Sequence, residues 1–153
     1  MNPHDGHRGR IVVGTLGLDQ HEVGAMAVAH LMRRNGFEVI YLGKHNTPRR
    51  FAATVESEDA QVIGVSIHSW ELTAYADELV AAAHDLGAAL VIGGSILTET
   101  DRAELEDRGV DAVFGPWARE DQIVSTLDEL VAAARDRQAR DAAAGPTDGG
   151  GLT

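Results

Sequence analysis

Residues 11–34 read IVVGTLGLDQHEVGAMAVAHLMRR, in which a strand, a loop and a helix follow one another. Ile11–Leu16 is an almost unbroken apolar run, which is typical of a strand buried on both faces. A polar loop follows over residues 17–22. A helix is then predicted to about Arg34, because apolar side chains recur at helical spacing, at Val23, Met26, Ala27 and Leu31. Asn35-Gly36 ends this helix.

The same alternation continues to the end of the chain. Further strands are predicted at Phe37–Leu42, Gln61–Ser66, Ala89–Ile92 and Asp111–Phe114. Further helices are predicted from Thr47-Pro48, over 71–86, over 101–108 and over 120–135. This order predicts an α/β fold: a flavodoxin-like (Rossmann-like) five-stranded parallel sheet in the order 2-1-3-4-5, with helices on both faces.

The predicted domain covers residues 10–137. It lies between a flexible N-terminus, residues 1–9, and a disordered tail, residues 138–153, whose Gly- and Ala-rich composition gives it little to bury.

Composition and charge exclude several classes of function. The net charge of -11, from 13 basic and 24 acidic residues, argues against nucleic acid and against an anionic membrane surface as partners. The chain has no cysteine, which excludes disulfides, zinc–thiolate sites, iron–sulfur clusters and cysteine nucleophiles. The polar N-terminus and the lack of a membrane-length apolar run predict a cytoplasmic protein without a signal peptide.

In such a sheet a ligand binds beyond the carboxyl ends of the strands, where the strand order reverses between the first and third strands. Four predicted loops meet there, at residues 17–24, 66–70, 93–98 and 115–119. They do not suit three common uses of the fold. The third strand ends in Ser66, where a response regulator needs a phosphorylatable Asp. Asp19 and Glu22 would repel the phosphate of a flavin nucleotide. Gly14 and Gly17 lack the spacing of a dinucleotide-binding G-x-G-x-x-G.

The first of these loops contains the pattern D-x-H-x-x-G at Asp19, His21 and Gly24. Imidazole is a good ligand for cobalt, and a metal-bound histidine usually donates its other ring N–H to a carboxylate, which Asp19 could supply. Gly24 would let a bulky ligand approach where a Cβ would clash. The alternative is that Asp19 is a cap or turn residue and His21 a solvated loop histidine. The position of the loop in the fold favours the metal-ligand interpretation.

Together with Ser66 and Gly93-Gly94, this pattern resembles the B12-binding domain of cobalamin-dependent mutases and methionine synthase, over roughly residues 10–130. The resemblance implies that cobalamin binds "base-off": its dimethylbenzimidazole tail leaves cobalt and enters a slot between sheet and helices, and His21 becomes the lower cobalt ligand. Asp19 would hydrogen-bond His21, and Gly24 would make room for the tail.

The resemblance extends to the other loops at this edge of the sheet. Ser66 would hydrogen-bond the benzimidazole, and the Gly93-Gly94 backbone would pack on the nucleotide. The implied cofactor-binding residues are Leu18, Asp19, Gln20, His21, Glu22, Val23, Gly24, Ser66, Ile67, His68, Gly93, Gly94, Ser95, Ile96, Leu97, Gly115 and Pro116, with His21 as the metal ligand. One departure is His68, since the family usually has leucine there, against the corrin edge. His45, after the second strand, is expected to lie away from the site.

The resemblance also implies a function. Without a barrel of its own, the chain would be the small subunit of an adenosylcobalamin-dependent carbon-skeleton mutase, an isomerase that needs a separate large (β/α)8-barrel subunit; no catalytic residue is assigned to this chain alone. Residues 17–51 most resemble the small subunit of glutamate mutase, whereas Gly17-Leu18-Asp19 is also typical of acyl-CoA mutases, so the substrate stays open. A corrinoid carrier or a B12-sensing module is the non-catalytic alternative.

Overall fold

The computed structural model describes residues 7–17, 22–67 and 71–145. Within them, five strands alternate with five helices. The elements are β1 (Arg10–Leu16), α1 (Glu22–Arg34), β2 (Glu38–Asn46), α2 (Pro48–Glu58), β3 (Val62–Ser66), α3 (Glu71–His84), β4 (Ala89–Gly93), α4 (Glu99–Asp107), β5 (Ala112–Phe114) and α5 (Glu120–Ala144). All strand pairs are parallel, and the sheet order is β2-β1-β3-β4-β5. The predicted flavodoxin-like fold is confirmed.

The sheet separates two buried clusters. On one face Val12, Ile63 and Leu90 pack beneath α2, α3 and α4. On the other face Val13 and Val91 pack beneath α1 and α5. Because side chains alternate along a strand, burial on both faces requires nearly continuous apolar sequence, which explains the apolar runs of the central strands.

Strand β2 is longer than the sequence predicted. It continues past Leu42 to Asn46, although Gly43 and His45 have left-handed backbone, with φ of 70° and 62°. The pairing with β1 shifts register on both sides of Gly14, so that β2 bulges and then rejoins β1. The predicted end at Leu42 was wrong. Residues with positive φ are usual in turns, whereas here Gly43 and His45 lie inside the strand.

Helix α5 also exceeds its prediction, continuing past Arg135 to Ala144. The Gln138 side chain donates from Nε2 to the carbonyl oxygens of Ala60 and Leu86, at 2.9 and 3.3 Å, and so ties the helix to the turns before β3 and β4. The tail predicted from Gln138 therefore begins too early. Although α5 has 25 residues, neither it nor any other described helix is apolar enough over a sufficient length to cross a membrane.

Residues 7–9 belong to the folded part of the chain. Arg8 N donates to the Gly36 carbonyl oxygen at 3.1 Å, and Glu38 N donates to the Gly9 carbonyl oxygen at 2.8 Å. These bonds join the residues before β1 to the turn before β2 and to the start of β2, and so continue the pairing of the two strands. The N-terminal segment predicted to be flexible over residues 1–9 is therefore held in place at its last three positions.

Candidate functional site

A cavity of about 650 Å³ opens at the carboxyl edge of the sheet and runs between the sheet and helices α1 and α5. Its floor includes Val13, Gly64 and Val91, which lie in one register across β1, β3 and β4. This is the point where the strand order reverses, as the topology predicted. The described lining is Val13, Gly24, Ala25, Val28, Met32, Gly64, Val65, Ser66, Val91, Gly93, Gly94, Ser95, Phe114, Gly115, Pro116, Ala118 and Ile123.

The mouth of the cavity is held by backbone hydrogen bonds between strand ends. Ser66, Gly93 and Phe114 lie in register across β3, β4 and β5. Beyond them, Ile67 N donates to the Gly93 carbonyl oxygen at 2.9 Å, and Gly94 N donates to the Phe114 carbonyl oxygen at 3.1 Å. A Cβ at Gly94 would lie 2.1 Å from the Ile67 carbonyl oxygen, so this close approach of two loops requires glycine.

The floor of the cavity owes its depth to Gly64. Ile63 and Val65 belong to the cluster beneath α2–α4, so strand alternation directs position 64 to the opposite, cavity face. A Cβ at Gly64 would lie 3.5 Å from Val13 Cγ2, which is an ordinary contact. The protein could therefore accommodate a side chain there, and its absence leaves open space above the sheet.

The lining is almost entirely apolar. Among the described lining residues none carries a charge, and only Ser66 and Ser95 bring side-chain hydroxyls. Ser66 ends β3 and Ser95 follows β4, so both serines lie at the mouth. The interior is lined by apolar side chains of β1, β4 and α1. Such a cavity suits a flat, mainly apolar group that needs few hydrogen bonds.

An ion pair joins the two helices that form the walls. Arg34 Nη2, at the end of α1, lies 2.7 Å from Glu120 Oε1, at the start of α5. Asn35 Nδ2 donates to the same oxygen at 3.1 Å. These two hydrogen bonds, together with the charge of Arg34, hold the pKa of the Glu120 carboxyl below its ordinary value. The pair is exposed, so it contributes little to the stability of the fold.

The structure brings seven of the sequence-predicted cofactor residues to this cavity, namely Gly24, Ser66, Gly93, Gly94, Ser95, Gly115 and Pro116. Ile67 and Leu97 are instead buried in the cluster on the opposite face of the sheet, and Ile96 is 53% exposed. Leu18, Asp19, Gln20, His21 and His68 lie outside the described residues, as do the side chains of Glu22 and Val23. Their roles stay predictions.

His45 lies nearer the predicted cofactor loop than the sequence suggested. Its Nδ1 is 3.0 Å from the carbonyl oxygen of Gly17, the last described residue before that loop. Because a carbonyl only accepts, Nδ1 carries a proton and donates in this contact. The topology indicated this proximity, because neighbouring parallel strands end at the same edge of the sheet. It was missed because β2 was predicted to end before His45.

Comparisons with known proteins show the family of the chain. A family model described as "B12 binding domain" matches residues 9–124. Ethylmalonyl-CoA mutase of Methylorubrum extorquens is 37% identical over 90% of this chain, and the chain spans only 20% of that protein. The 2-hydroxyisobutanoyl-CoA mutase small subunit of Aquincola tertiaricarbonis is 32% identical over 81% of this chain and 93% of its own length. The glutamate mutase sigma subunit of Halobacterium salinarum is 30% identical, over 76% and 83%.

Among solved structures, a cobalamin-binding protein from Desulfitobacterium hafniense superimposes with a TM-score of 0.67. The aligned region covers 81% of this chain and 59% of that protein, at 22% identity. At this identity the likeness concerns the fold alone.

Proposed function

Because this chain belongs to the B12-binding domain family, we propose that it is the cobalamin-binding small subunit of an adenosylcobalamin-dependent carbon-skeleton mutase. The observation that carries the proposal is the apolar cavity of about 650 Å³ at the point where the strand order reverses. The volume of the cavity and its lining of aliphatic side chains and glycines suit the nucleotide tail of cobalamin. Its mouth is built by Ser66 and the Gly93-Gly94 turn.

The residues present divide the task of holding the cofactor. Ser66 donates its hydroxyl to the base, and the glycines at the mouth let the backbone approach the nucleotide. His21 would ligate cobalt in place of the base, and Asp19 would accept a hydrogen bond from the other ring nitrogen of His21. When bound, adenosylcobalamin supplies, by homolysis of its cobalt–carbon bond, the radical that starts the rearrangement. The chain itself binds and orients the cofactor.

The substrate site belongs to a partner in this proposal. The nucleotide tail would fill the apolar cavity, so the substrate would bind elsewhere. We expect a large subunit, a (β/α)8 barrel, to supply the substrate site. The two acyl-CoA mutase relatives share more identity with this chain than the glutamate mutase subunit does, so we place the substrate among acyl-CoA thioesters. Glutamate is the second candidate.

Cobalt ligation is tested by EPR of cob(II)alamin bound to the chain. A single axial nitrogen splits the cobalt signal, and we expect the pattern to change when histidine is labelled with ¹⁵N, because His21 is the ligand. His21→Ala should abolish this label-dependent splitting, whereas His30→Ala, which changes an exposed histidine of α1, should keep it. A splitting that ignores the label would mean that benzimidazole still binds cobalt, and base-off binding would be rejected.

The mutase assignment is tested by reconstitution. The chain with adenosylcobalamin should be inactive alone and should catalyse isomerisation after addition of a cognate large subunit from an acyl-CoA mutase. Parallel assays use large subunits of acyl-CoA mutases and of glutamate mutase, with the respective substrates. Activity only with the glutamate enzyme would replace the acyl-CoA assignment. Tight cobalamin binding without complex formation with either would identify a corrinoid carrier or sensor instead.

A further inference from the structure

We propose that His45 positions the loop that carries the predicted cobalt ligand, by holding the carbonyl group from which that loop begins. The inference rests on the proposed function, because it assumes that His21 ligates cobalt. It adds a residue of β2 to a ligand set that otherwise comes from the loop after β1. We assign His45 no contact with cobalt or substrate, so it is a positioning residue and not a catalytic one.

His45 has a backbone conformation that favours glycine. Its φ is 62°, in the left-handed region, where a Cβ is unfavourable. Two residues earlier the same bulge uses glycine, at Gly43, whose φ is 70°. A histidine at position 45 therefore costs stability that a glycine would not. Such a residue points to a use for the side chain.

The His45 ring replaces a hydrogen bond that the strand pair lacks. Leu16 and Asn46 are partners in the parallel pairing, and Gly17 N donates to the Asn46 carbonyl oxygen at 2.8 Å. In this register the next donor, to the carbonyl oxygen of Gly17, would be the backbone nitrogen two residues past Asn46. That residue is Pro48, which has no N–H. The His45 ring donates from Nδ1 to the Gly17 carbonyl oxygen instead, at 3.0 Å.

The Gly17 carbonyl depends on such a partner for its orientation. Gly17 has a φ of 58°, and a glycine has more backbone conformations open to it than any other residue. Its N–H is bonded to Asn46 and its carbonyl to the His45 ring, so β2 holds both of its polar groups. His21 follows four residues later. The orientation of the Gly17 carbonyl therefore fixes the direction in which the chain leaves the sheet toward the predicted ligand.

The bulge of β2 has supports other than the His45 ring. Asn46 is fully buried, and its Nδ2 donates to the carbonyl oxygens of Gly43 and Thr15, at 2.9 and 3.0 Å. These bonds tie the residues on either side of His45 to each other and to β1. His45 itself is exposed. A substitution at position 45 can therefore remove the ring while the strand pairing stays intact.

Two variants separate the hydrogen bond of the ring from the conformation of the backbone. His45→Asn keeps a donor, because the amide nitrogen of asparagine stands as many bonds from Cα as Nδ1 of histidine does, and asparagine tolerates left-handed backbone. His45→Gly suits the backbone and removes the donor. Both variants should unfold at a urea concentration close to that of wild type.

The measurement is the midpoint potential of the Co(II)/Co(I) couple of cobalamin bound to the full chain. Cobalt(II) holds an axial nitrogen ligand and cobalt(I) releases it, so weaker ligation by His21 raises this potential. We expect His45→Gly to weaken ligation about tenfold, the effect of one lost hydrogen bond, which raises the potential of a one-electron couple by about 59 mV. His45→Asn should keep the wild-type potential.

His21→Ala is the reference, because it removes the ligand itself. It should raise the potential further than His45→Gly does, and adding His45→Gly to it should have no additional effect, since no ligand is left to position. If His21→Ala leaves the potential unchanged, His21 does not ligate cobalt, and base-off ligation fails together with this inference.

Three other results would overturn the positioning role alone while His21 remains the ligand. In the first, His21→Ala raises the potential and His45→Gly does not. In the second, His45→Gly and His45→Asn raise it equally, so that the donor is not what matters. In the third, the rise caused by His45→Gly persists in the His21→Ala background, which would mean that residue 45 acts on cobalt by another route.

Discussion

Replacing Gly94 by alanine is expected to lower the free energy of unfolding by roughly 3 kcal/mol or more, which is large for the addition of one methyl group. The added Cβ would lie 2.1 Å from the Ile67 carbonyl oxygen and 3.3 Å from its carbon. Both partners are backbone, so no side chain can rotate away. Movement would also break the bonds from Gly94 N to Phe114 and from Ile67 N to Gly93. Urea denaturation of wild type and variant measures the effect as a change in midpoint.

Gly93→Ala is the matched control, one residue away in the same turn. There the nearest atom to the added Cβ is the Phe114 carbonyl oxygen at 3.6 Å, which is an ordinary contact. Its unfolding free energy should change by less than about 1 kcal/mol. If the two variants unfold at the same urea concentration, the crowding at Gly94 does not determine stability, and the mouth of the cavity is more plastic than the structure implies.

The sheet was predictable because its strands are buried on both faces. A sequence such as Val62-Ile63-Gly64-Val65-Ser66 leaves no polar face, and the glycine turns between elements set the boundaries. The sequence did not determine where an element with an ambiguous end stops, and β2 is an example. Gly43 suggests the end of a strand, yet it lies in a bulged part of β2 that also contains the left-handed His45. Only the pairing with β1 shows that the strand continues.

The end of α5 was missed for a related reason. After Arg135 the sequence turns polar, which reads as the end of an amphipathic pattern, but it contains no glycine or proline before Gly145. The helix continues past Arg135, and there the Gln138 side chain donates to backbone carbonyls in the turns before β3 and β4. Such a tertiary contact leaves no periodic signal in the sequence, since a glutamine on an exposed helix face looks the same.

The candidate site was predictable at its mouth and not in its interior. Ser66, Gly93 and Gly94 stand at strand ends, which parallel topology brings together. Val28 and Met32 recur at the helical spacing that core residues also show, so the sequence could not tell a cavity wall from a packed helix face. Gly64 inside an apolar strand indicates a close approach or an open space, and only the structure distinguishes them.

Filling that space should remove cobalamin binding while preserving the fold. Gly64→Val places a branched side chain on the cavity floor, where the added Cβ meets Val13 Cγ2 at 3.5 Å without a clash. Valine also suits a strand better than glycine, so the variant should unfold at a urea concentration no lower than that of wild type. Its affinity for cobalamin should fall by about 100-fold or more, to the level of cobinamide, which lacks the nucleotide, because the tail loses its place.

Cobinamide provides the internal control, since it carries no tail and should bind wild type and Gly64→Val equally. Gly64→Ala adds only the Cβ and should give an intermediate affinity for cobalamin with unchanged stability. This graded series separates occupation of the cavity from general damage, because damage would weaken cobinamide binding and lower the unfolding midpoint together. If Gly64→Val folds stably and still binds cobalamin as tightly as wild type, the nucleotide lies elsewhere, and the cavity between the sheet and helices α1 and α5 is not the cobalamin site.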